Sequence, residues 1–229
     1  MVLADQASHL QRSDPLYLLG NAGLAVMAAL VARDSAPLPW LLAWLAATLL
    51  TTAGHGWMTS RQRGRTGQAA RQLRQVTAMS AVSGLLWAAG VLLIYPGADD
   101  IHRALLIVLL GGMATSAKFS LAAHLPALCA LYLPMVAGVV IAALGTDGPG
   151  RWVVVVLAPL WLTGAVLRAR QMHAALIDSF RNRHTATLLA ADLQAQKDVA
   201  VALGQSRSRF LAAASHDLRQ PLYALTLFS

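Results

Sequence analysis

The sequence predicts an all-α protein: a six-span transmembrane helical bundle followed by a cytoplasmic helix that runs well past the last span. Three observations predict it. Of the 229 residues, 57% are hydrophobic and 12% charged, about half the charged fraction of a typical soluble domain. The apolar residues gather in blocks near the ~20-residue length that a bilayer-crossing helix needs, with a mean hydropathy of +0.55. Beyond Leu167 the blocks give way to a polar stretch without proline until Pro221, in which apolar residues recur in pairs four apart, the spacing of one helix face.

The segments follow in order. The opening "MVLADQASHLQRSDP" is polar and carries Asp5, Arg12 and Asp14; it lacks the positive start and small-residue cleavage site of a secretory signal, so the first span, from about Leu16 to Ala32, is expected to stay in place. The second span runs from Leu38 to Met58, the third from Val76 to Tyr95, the fourth from Ala104 to Ser120, the fifth from about Pro126 to Leu144 and the sixth from Trp152 to Leu167. The boundary between the fourth and fifth falls where Lys118, His124 and Pro126 cluster. The sixth block is short for a full crossing, so its helix is expected to continue. Trp40, Trp57 and Trp152 lie near span ends, where an indole sits at headgroup level; Trp44, Trp87 and Trp161 are deeper and expected to pack.

Net charge is +8, which in a soluble chain would point to nucleic acid. Here its location explains it. Arg61, Arg63, Arg65, Arg71 and Arg74 lie between the second and third spans, and short loops rich in Lys and Arg stay cytoplasmic. Counting from that loop, both termini and the Lys118 turn are cytoplasmic, and all but Arg33, Arg103 and Arg151 of the 18 basic residues lie inside. The expected location is therefore a bacterial cytoplasmic membrane, multi-pass, with no nucleic-acid partner. The single cysteine, Cys129, excludes an internal disulfide framework and reads as an inert buried thiol.

Residues 168–208 form the expected coiled-coil signalling helix. Leu176 with Phe180, Leu189 with Leu193, and Val199 with Leu203 make a stripe too narrow for a globular core but wide enough for a two-helix seam, so a parallel homodimer is the natural reading; a solvated single helix is the alternative. Residues 209–229 continue as a helix with Phe210, Ala214, Leu218, Pro221 and Leu225 on one side and His216 on the opposite, solvent-facing side. Pro221 should kink that helix and free a carbonyl one turn earlier. A neutral imidazole is nucleophilic, and the neighbouring Asp217 could orient it and take its proton, an arrangement suited to phosphoryl transfer. Arg219 could hold phosphate oxygens or an acidic partner surface.

The string "SRFLAAASHDLRQPL" closely resembles the phosphoacceptor box of bacterial sensor histidine kinases, Phe-x-x-x-x-Ser-His-Glu/Asp-Leu-Arg-x-Pro-Leu. Phe210, Ser215, His216, Asp217, Leu218, Arg219, Pro221 and Leu222 fall on that pattern. The resemblance implies that His216 accepts the γ-phosphate of ATP, with Mg²⁺ as the ion, and passes it to an aspartate of a response-regulator receiver domain. It implies Asp217 as the acid–base residue and a dimerising helix within a four-helix bundle. The chain departs from the common box at Gln220, where Thr or Asn is usual and positions water for partner dephosphorylation; the Asp-Leu-Arg-Gln-Pro variant looks like a subgroup often found in hybrid kinases. The family's second bundle helix and ATP-binding domain have no counterpart here, and no glycine-rich phosphate cradle is present. This chain is therefore expected to be part of a longer kinase and to bind no ATP by itself.

Loops on the outer side, "RDSAPLP", "PGADDIHR" and "TDGPGR", leave no room for a ligand domain, so any stimulus is read within the membrane or at its surface. The arrangement resembles multi-span sensor kinases for diffusible fatty-acid signals in architecture alone, and a hydrophobic small molecule is a candidate signal. Polar residues in or near spans tend to mark function: Asn21, His55, Ser80, Ser83, Thr115, Lys118 and His124. The alternative for Lys118 is snorkelling to headgroups from a cytoplasmic turn. No ligand spacing supports a metal site at His55, His124 or Cys129. Gly111-Gly112 and Gly20-x-x-Gly23 are expected to permit close helix packing. The competing functions are a small transporter or channel with Lys118 and His124 on its path, and a dimerising scaffold without phosphotransfer.

Overall fold

The computed structural model describes the backbone of residues 2–62, 69–148 and 150–227, and the side chains of 17–61, 69–118, 120–148 and 150–211. The described residues form helices joined by short turns: α1 (Val2–Val31), α2 (Leu38–Gln62), α3 (Ala69–Ile94), a single 3₁₀ turn (Tyr95–Gly97), α4 (Asp100–Leu121), α5 (Leu125–Leu144) and α6 (Gly150–Leu227). Two compact units result, residues 1–178 and 179–229. Each apolar block coincides with one helix, although Ala32 lies in the turn after α1 and Tyr95 in the 3₁₀ turn after α3, and the boundary after Lys118 is a tight turn, Ala122–His124, between α4 and α5. The helices overrun the apolar blocks. α3 begins seven residues before Val76 and α1 well before Leu16, because hydropathy marks the lipid-facing length of a helix and not its hydrogen-bonded length.

Among the described residues four stretches are long and apolar enough to cross a membrane: Ala69–Gly97, Asp100–Lys118, Leu125–Leu144 and Gly150–Leu211. The described apolar part of α1, Tyr17–Val31, is shorter. α2 carries Thr48, Thr52, His55 and Thr59, all buried among the helices. Its hydropathy is lowered by polar groups that face protein, not lipid. Leu19, Leu30, Leu50, Leu85, Val108 and Leu133 point outward and are exposed, as side chains in contact with acyl chains would be.

The centre of the first unit is the α3–α5 pair, its most extensive helix–helix contact. Ser80, Gly84 and Ala88 on α3 follow one another at four-residue spacing, as do Ala130, Pro134 and Gly138 on α5. Such small-residue ladders let backbones approach closely where no hydrophobic effect drives helices together. At Gly84 a Cβ atom would lie 2.9 Å from Pro134 Cγ and 3.0 Å from the Ala130 carbonyl oxygen, and would collide with the Leu131 oxygen. At Gly138 it would lie 2.8 Å from Ala88 Cα. Pro134 sits inside α5 without an N–H, so the Ala130 carbonyl lacks its usual donor one turn on; that carbonyl faces Gly84. Gly84 and Gly138 are thus the glycines that let α3 and α5 approach. Gly20, whose Cβ would meet Ser116 Oγ at 3.1 Å, bears out the packing expected of it, whereas Gly111 and Gly23 face open space.

Trp87 and Trp44 pack in the core, as their depth predicts, with their rings edge-to-face at 5.7 Å. Trp40, Trp57 and Trp152 are exposed. Trp161 differs from expectation: it is 41% exposed, with one face tilted against Tyr132 at 5.6 Å. The reason is that α6 is sparsely packed. About half of the apolar window of α5 (56%) is buried, against 6% for α6. Cys129 is half-buried on α5.

The α3–α5 interlock generates a prediction. Gly84→Val should destabilise the bundle by about 1–3 kcal/mol through overpacking, whereas Gly111→Val should change stability by less than about 0.5 kcal/mol. Denaturant unfolding of the purified protein in detergent micelles measures both.

Candidate functional site

Among the described residues of the first unit, polar groups gather in two places within the helices and at one rim, and an apolar cavity opens between α4, α5 and α6. The first assembly centres on Asn21. Its Oδ1 accepts from Trp87 Nε1 at 2.7 Å, and its Nδ2 donates to Thr52 Oγ1 at 2.7 Å. Thr52 donates onward to the Thr48 carbonyl, and Thr48 to the Trp44 carbonyl. Trp44 Nε1 then donates to the Leu86 carbonyl at 2.7 Å. One chain of hydrogen bonds therefore ties α1, α2 and α3 together at a depth where water cannot substitute. Asn21 is 3% exposed and engaged on both sides of its amide. His55 is buried on α2, its ring edge-on to Tyr17 with centroids 6.3 Å apart.

The second assembly lies where α4 turns into α5. His124 is the N-cap residue of α5. Its Nε2 stands 3.0 Å from Thr77 Oγ1 on α3. His173, on α6, places Nδ1 3.0 Å from the Ala122 carbonyl oxygen. Burial, helped by the nearby His173, pushes the His124 imidazole below its ordinary pKa. Lys118 is half-buried in the last turn of α4, with its carbonyl capped by the Ala122 N–H. Of the four candidate residues in the membrane part, the structure thus gathers Lys118 and His124 at one turn and keeps Asn21 and His55 in the α1–α2–α3 core. Ser80 and Ser83 are buried on α3 with no hydrogen-bond partner for either hydroxyl among the described residues. Thr115 is exposed and donates to the Gly111 carbonyl of its own helix.

The opposite end of the bundle is an ionic rim. Asp99 caps α4, accepting from the His102 N–H at 2.8 Å and from the His102 ring at 2.7 Å. The backbone N–H of His102, with its ring, holds the Asp99 carboxyl below its usual range. Arg103 pairs with Asp100 at 3.3 Å and lies over the Tyr95 ring.

Sequence reading missed the cavity. A space of about 350 Å³ opens between α4, α5 and α6, lined among others by Ile107, Gly111, Met135, Val139, Leu157 and Trp161. No polar side chain lines it. Its one legible signal is Gly111, whose missing side chain leaves room on α4. Tyr132, beside the Trp161 wall, donates its hydroxyl to the Ala114 carbonyl.

His216, Asp217, Arg219 and Gln220 lie on the helical backbone of α6, but their side chains are outside the described residues. Among the described residues no group of three or more His, Cys, Asp or Glu side chains could hold a metal ion. No protein-family model, no curated protein and no solved structure matches this chain.

The Asn21 chain yields a second prediction. Asn21→Ala leaves the Trp87 indole N–H and the Thr52 hydroxyl short of a partner in the core and should cost about 1–3 kcal/mol. Thr115→Ala, which removes one self-contained exposed bond, should stay within about 0.5 kcal/mol. Thermal unfolding of the two variants in the same detergent checks the contrast.

Proposed function

We propose that this chain is the sensor and phosphoacceptor portion of a two-component histidine kinase. The single observation that carries the reading is the string Phe210–Leu222, in which Ser215, His216, Asp217, Leu218, Arg219 and Pro221 stand in the order and spacing of a phosphoacceptor box. The helical backbone of α6, from Gly150 to Leu227, supports it, because a phosphoacceptor histidine works from a rigid helix. His216 is the phosphoacceptor, Asp217 the group that orients its imidazole and takes the proton, and Arg219 a contact for phosphate or for the partner surface. Gln220 stands where a water-positioning residue serves dephosphorylation.

In this reading six helices cross a bacterial cytoplasmic membrane, with both termini on the cytoplasmic side. The arginines between α2 and α3 and beyond Leu167 support that orientation. The segment after Leu167 pairs with a second copy as a parallel coiled coil: Leu189, Leu193, Val199, Leu203 and Phe210 are all more than half exposed, and an apolar stripe on a helix outside lipid needs a partner. The signal enters through the membrane, and the apolar cavity between α4, α5 and α6 suits a hydrophobic molecule. The product of the reaction is a phosphohistidine whose phosphoryl group passes to a receiver-domain aspartate.

The test is phosphate incorporation. The whole protein in native membranes, incubated with γ-labelled ATP, should acquire an acid-labile, base-stable label that a His216→Gln variant loses completely. Absence of label in the wild type, with a control kinase active and stimulus conditions varied, contradicts the reading.

A further inference from the structure

The cavity between α4, α5 and α6 has a floor and a mouth. Leu110, Met135 and Val139 are buried and form the floor. Ile107 on α4 and Val153, Leu157 and Trp161 on α6 line it too, yet each is exposed. The opening is therefore lateral, between α4 and α6, where acyl chains surround a membrane-spanning bundle. A Cβ atom at Gly111 would meet nothing within 4 Å, so the space reaches the α4 backbone.

Its depth is set by the helices. α4 begins at Asp100 and α6 at Gly150, and α5 ends at Leu144, all at the ionic rim. Along α6 from that end, Val153 lies at about 5 Å and Trp161 at about 16 Å, at 1.5 Å per residue. Along α4, Ile107 and Gly111 lie at about 10 and 16 Å, and along α5, Val139 and Met135 lie at about 8 and 14 Å. All three helices give the same range. Half of the ~30 Å hydrocarbon core is about 15 Å, so the cavity has the depth of one leaflet. Trp152 marks the headgroup level at its upper end: it is exposed, with the Arg151 guanidinium 5.1 Å from its ring centre.

Chemistry and size restrict the occupant. Every lining side chain is apolar, so the polar end of an occupant must stay at the rim. About 350 Å³ is more than twice the ~150 Å³ that holds a benzene ring, enough for one alkyl chain of roughly a dozen carbons and not for two. At the heads of the two helices that frame the mouth, the rim carries both signs. Arg103 pairs with Asp100 at 3.3 Å and Arg151 with Asp147 at 3.7 Å, and both carboxylates are fully exposed. Exposed pairs of this kind are weak. They can exchange partners with a head group that itself carries a phosphate and an ammonium, while each guanidinium keeps a backbone carbonyl, that of Tyr95 or of Thr146.

We propose that the cavity seats one acyl chain of a zwitterionic bilayer phospholipid, upright in its own leaflet, with its head group at the Arg103–Asp100 and Arg151–Asp147 rim. The chain enters sideways from the bilayer and stands against Trp161. This gives a chemical class to the hydrophobic molecule of the phosphotransfer reading, and it rests on that reading for its signalling consequence alone: chains of different length fill the space beside α6 to different extents.

The experiment uses the full chain in lipid-free detergent micelles, where no bilayer surrounds the exposed tryptophans. A phosphatidylethanolamine with one dibrominated chain is added in steps and tryptophan emission is read, since bromine quenches an indole on contact. Quenching should saturate at one lipid per chain, with a loss no larger than the share of one of the six tryptophans. Trp161→Phe should abolish the saturable loss, and Gly111→Phe, which fills the cavity, should remove it. Gly164→Phe, at an open position elsewhere on α6, should leave it unchanged. Quenching that rises without saturating, or that Gly111→Phe does not alter, is ordinary contact with surrounding lipid and overturns the proposal. Saturation by a dibrominated free fatty acid at lower concentration than by the phospholipid overturns it in favour of a free acid. Absence of quenching, as when a second copy covers the mouth, overturns it as well. Should Gly111→Phe not fold, Trp161→Phe decides, because the saturable loss must vanish with that one ring. The readout is lipid contact without ATP, so its failure is separate from any failure of the phosphotransfer reading.

Discussion

The first unit depends on how closely α3 and α5 approach. Neither helix offers a polar bond to the other at Gly84 or Gly138; the contact is backbone against backbone, made where a side chain is missing. In lipid, exchanging acyl chains for leucine gains little, so dispersion across a close approach is what distinguishes one helix pairing from another. Pro134 adds to it by leaving the Ala130 carbonyl without its helical donor on the side that Gly84 faces. With that pair fixed, Trp87 on α3 is placed for Asn21 on α1, and Trp44 on α2 for the Leu86 carbonyl. α4 reaches the pair through the hydroxyl of Tyr132 on α5.

α6 is the exception to this tight arrangement, and the exception fits a role. A helix that packs through one line of side chains, from Val154 to Ala169, with hydrogen bonds from Arg151 and His173 at its ends, can change its seating without dismantling the core. The cavity beside its apolar stretch is a place where a small free-energy difference would bias that seating. A stimulus can shift such an equilibrium only by its differential interaction with the two seatings.

Much of this was legible in the sequence, for reasons of periodicity. The third to sixth apolar blocks predict helices because a continuous apolar run long enough to cross lipid has few alternatives. The turn after Lys118 is marked by His124 and Pro126, and the depth of Trp44 and Trp87 foretells their packing. What the sequence could not disclose depends on partners remote in the chain. Gly111-Gly112 looks like a packing motif and Gly84 does not, yet Gly84 is the one pressed against a neighbouring backbone, because only the position of Pro134 decides it. Asn21 resembles a ligand group until Trp87 and Thr52 close around its amide. His124 carries a local signal, but His173, 49 residues on, is joined to it only by the fold. The phosphoacceptor string is legible entirely as a string, since its meaning lies in spacing along one helix.

The proposed function requires the segment of α6 beyond Leu167 to pair with a second copy, parallel and in register. Cysteine scanning of residues 188–211 in a Cys129→Ser background, with oxidative cross-linking in native membranes, tests it most directly. A parallel pair should give strong cross-links between identical positions recurring about every 3.5 residues, peaking at Leu189, Leu203 and Phe210 and weak at the intervening polar positions. Cross-linking that is uniform along the segment, or confined to one end as in an antiparallel crossing, would contradict it.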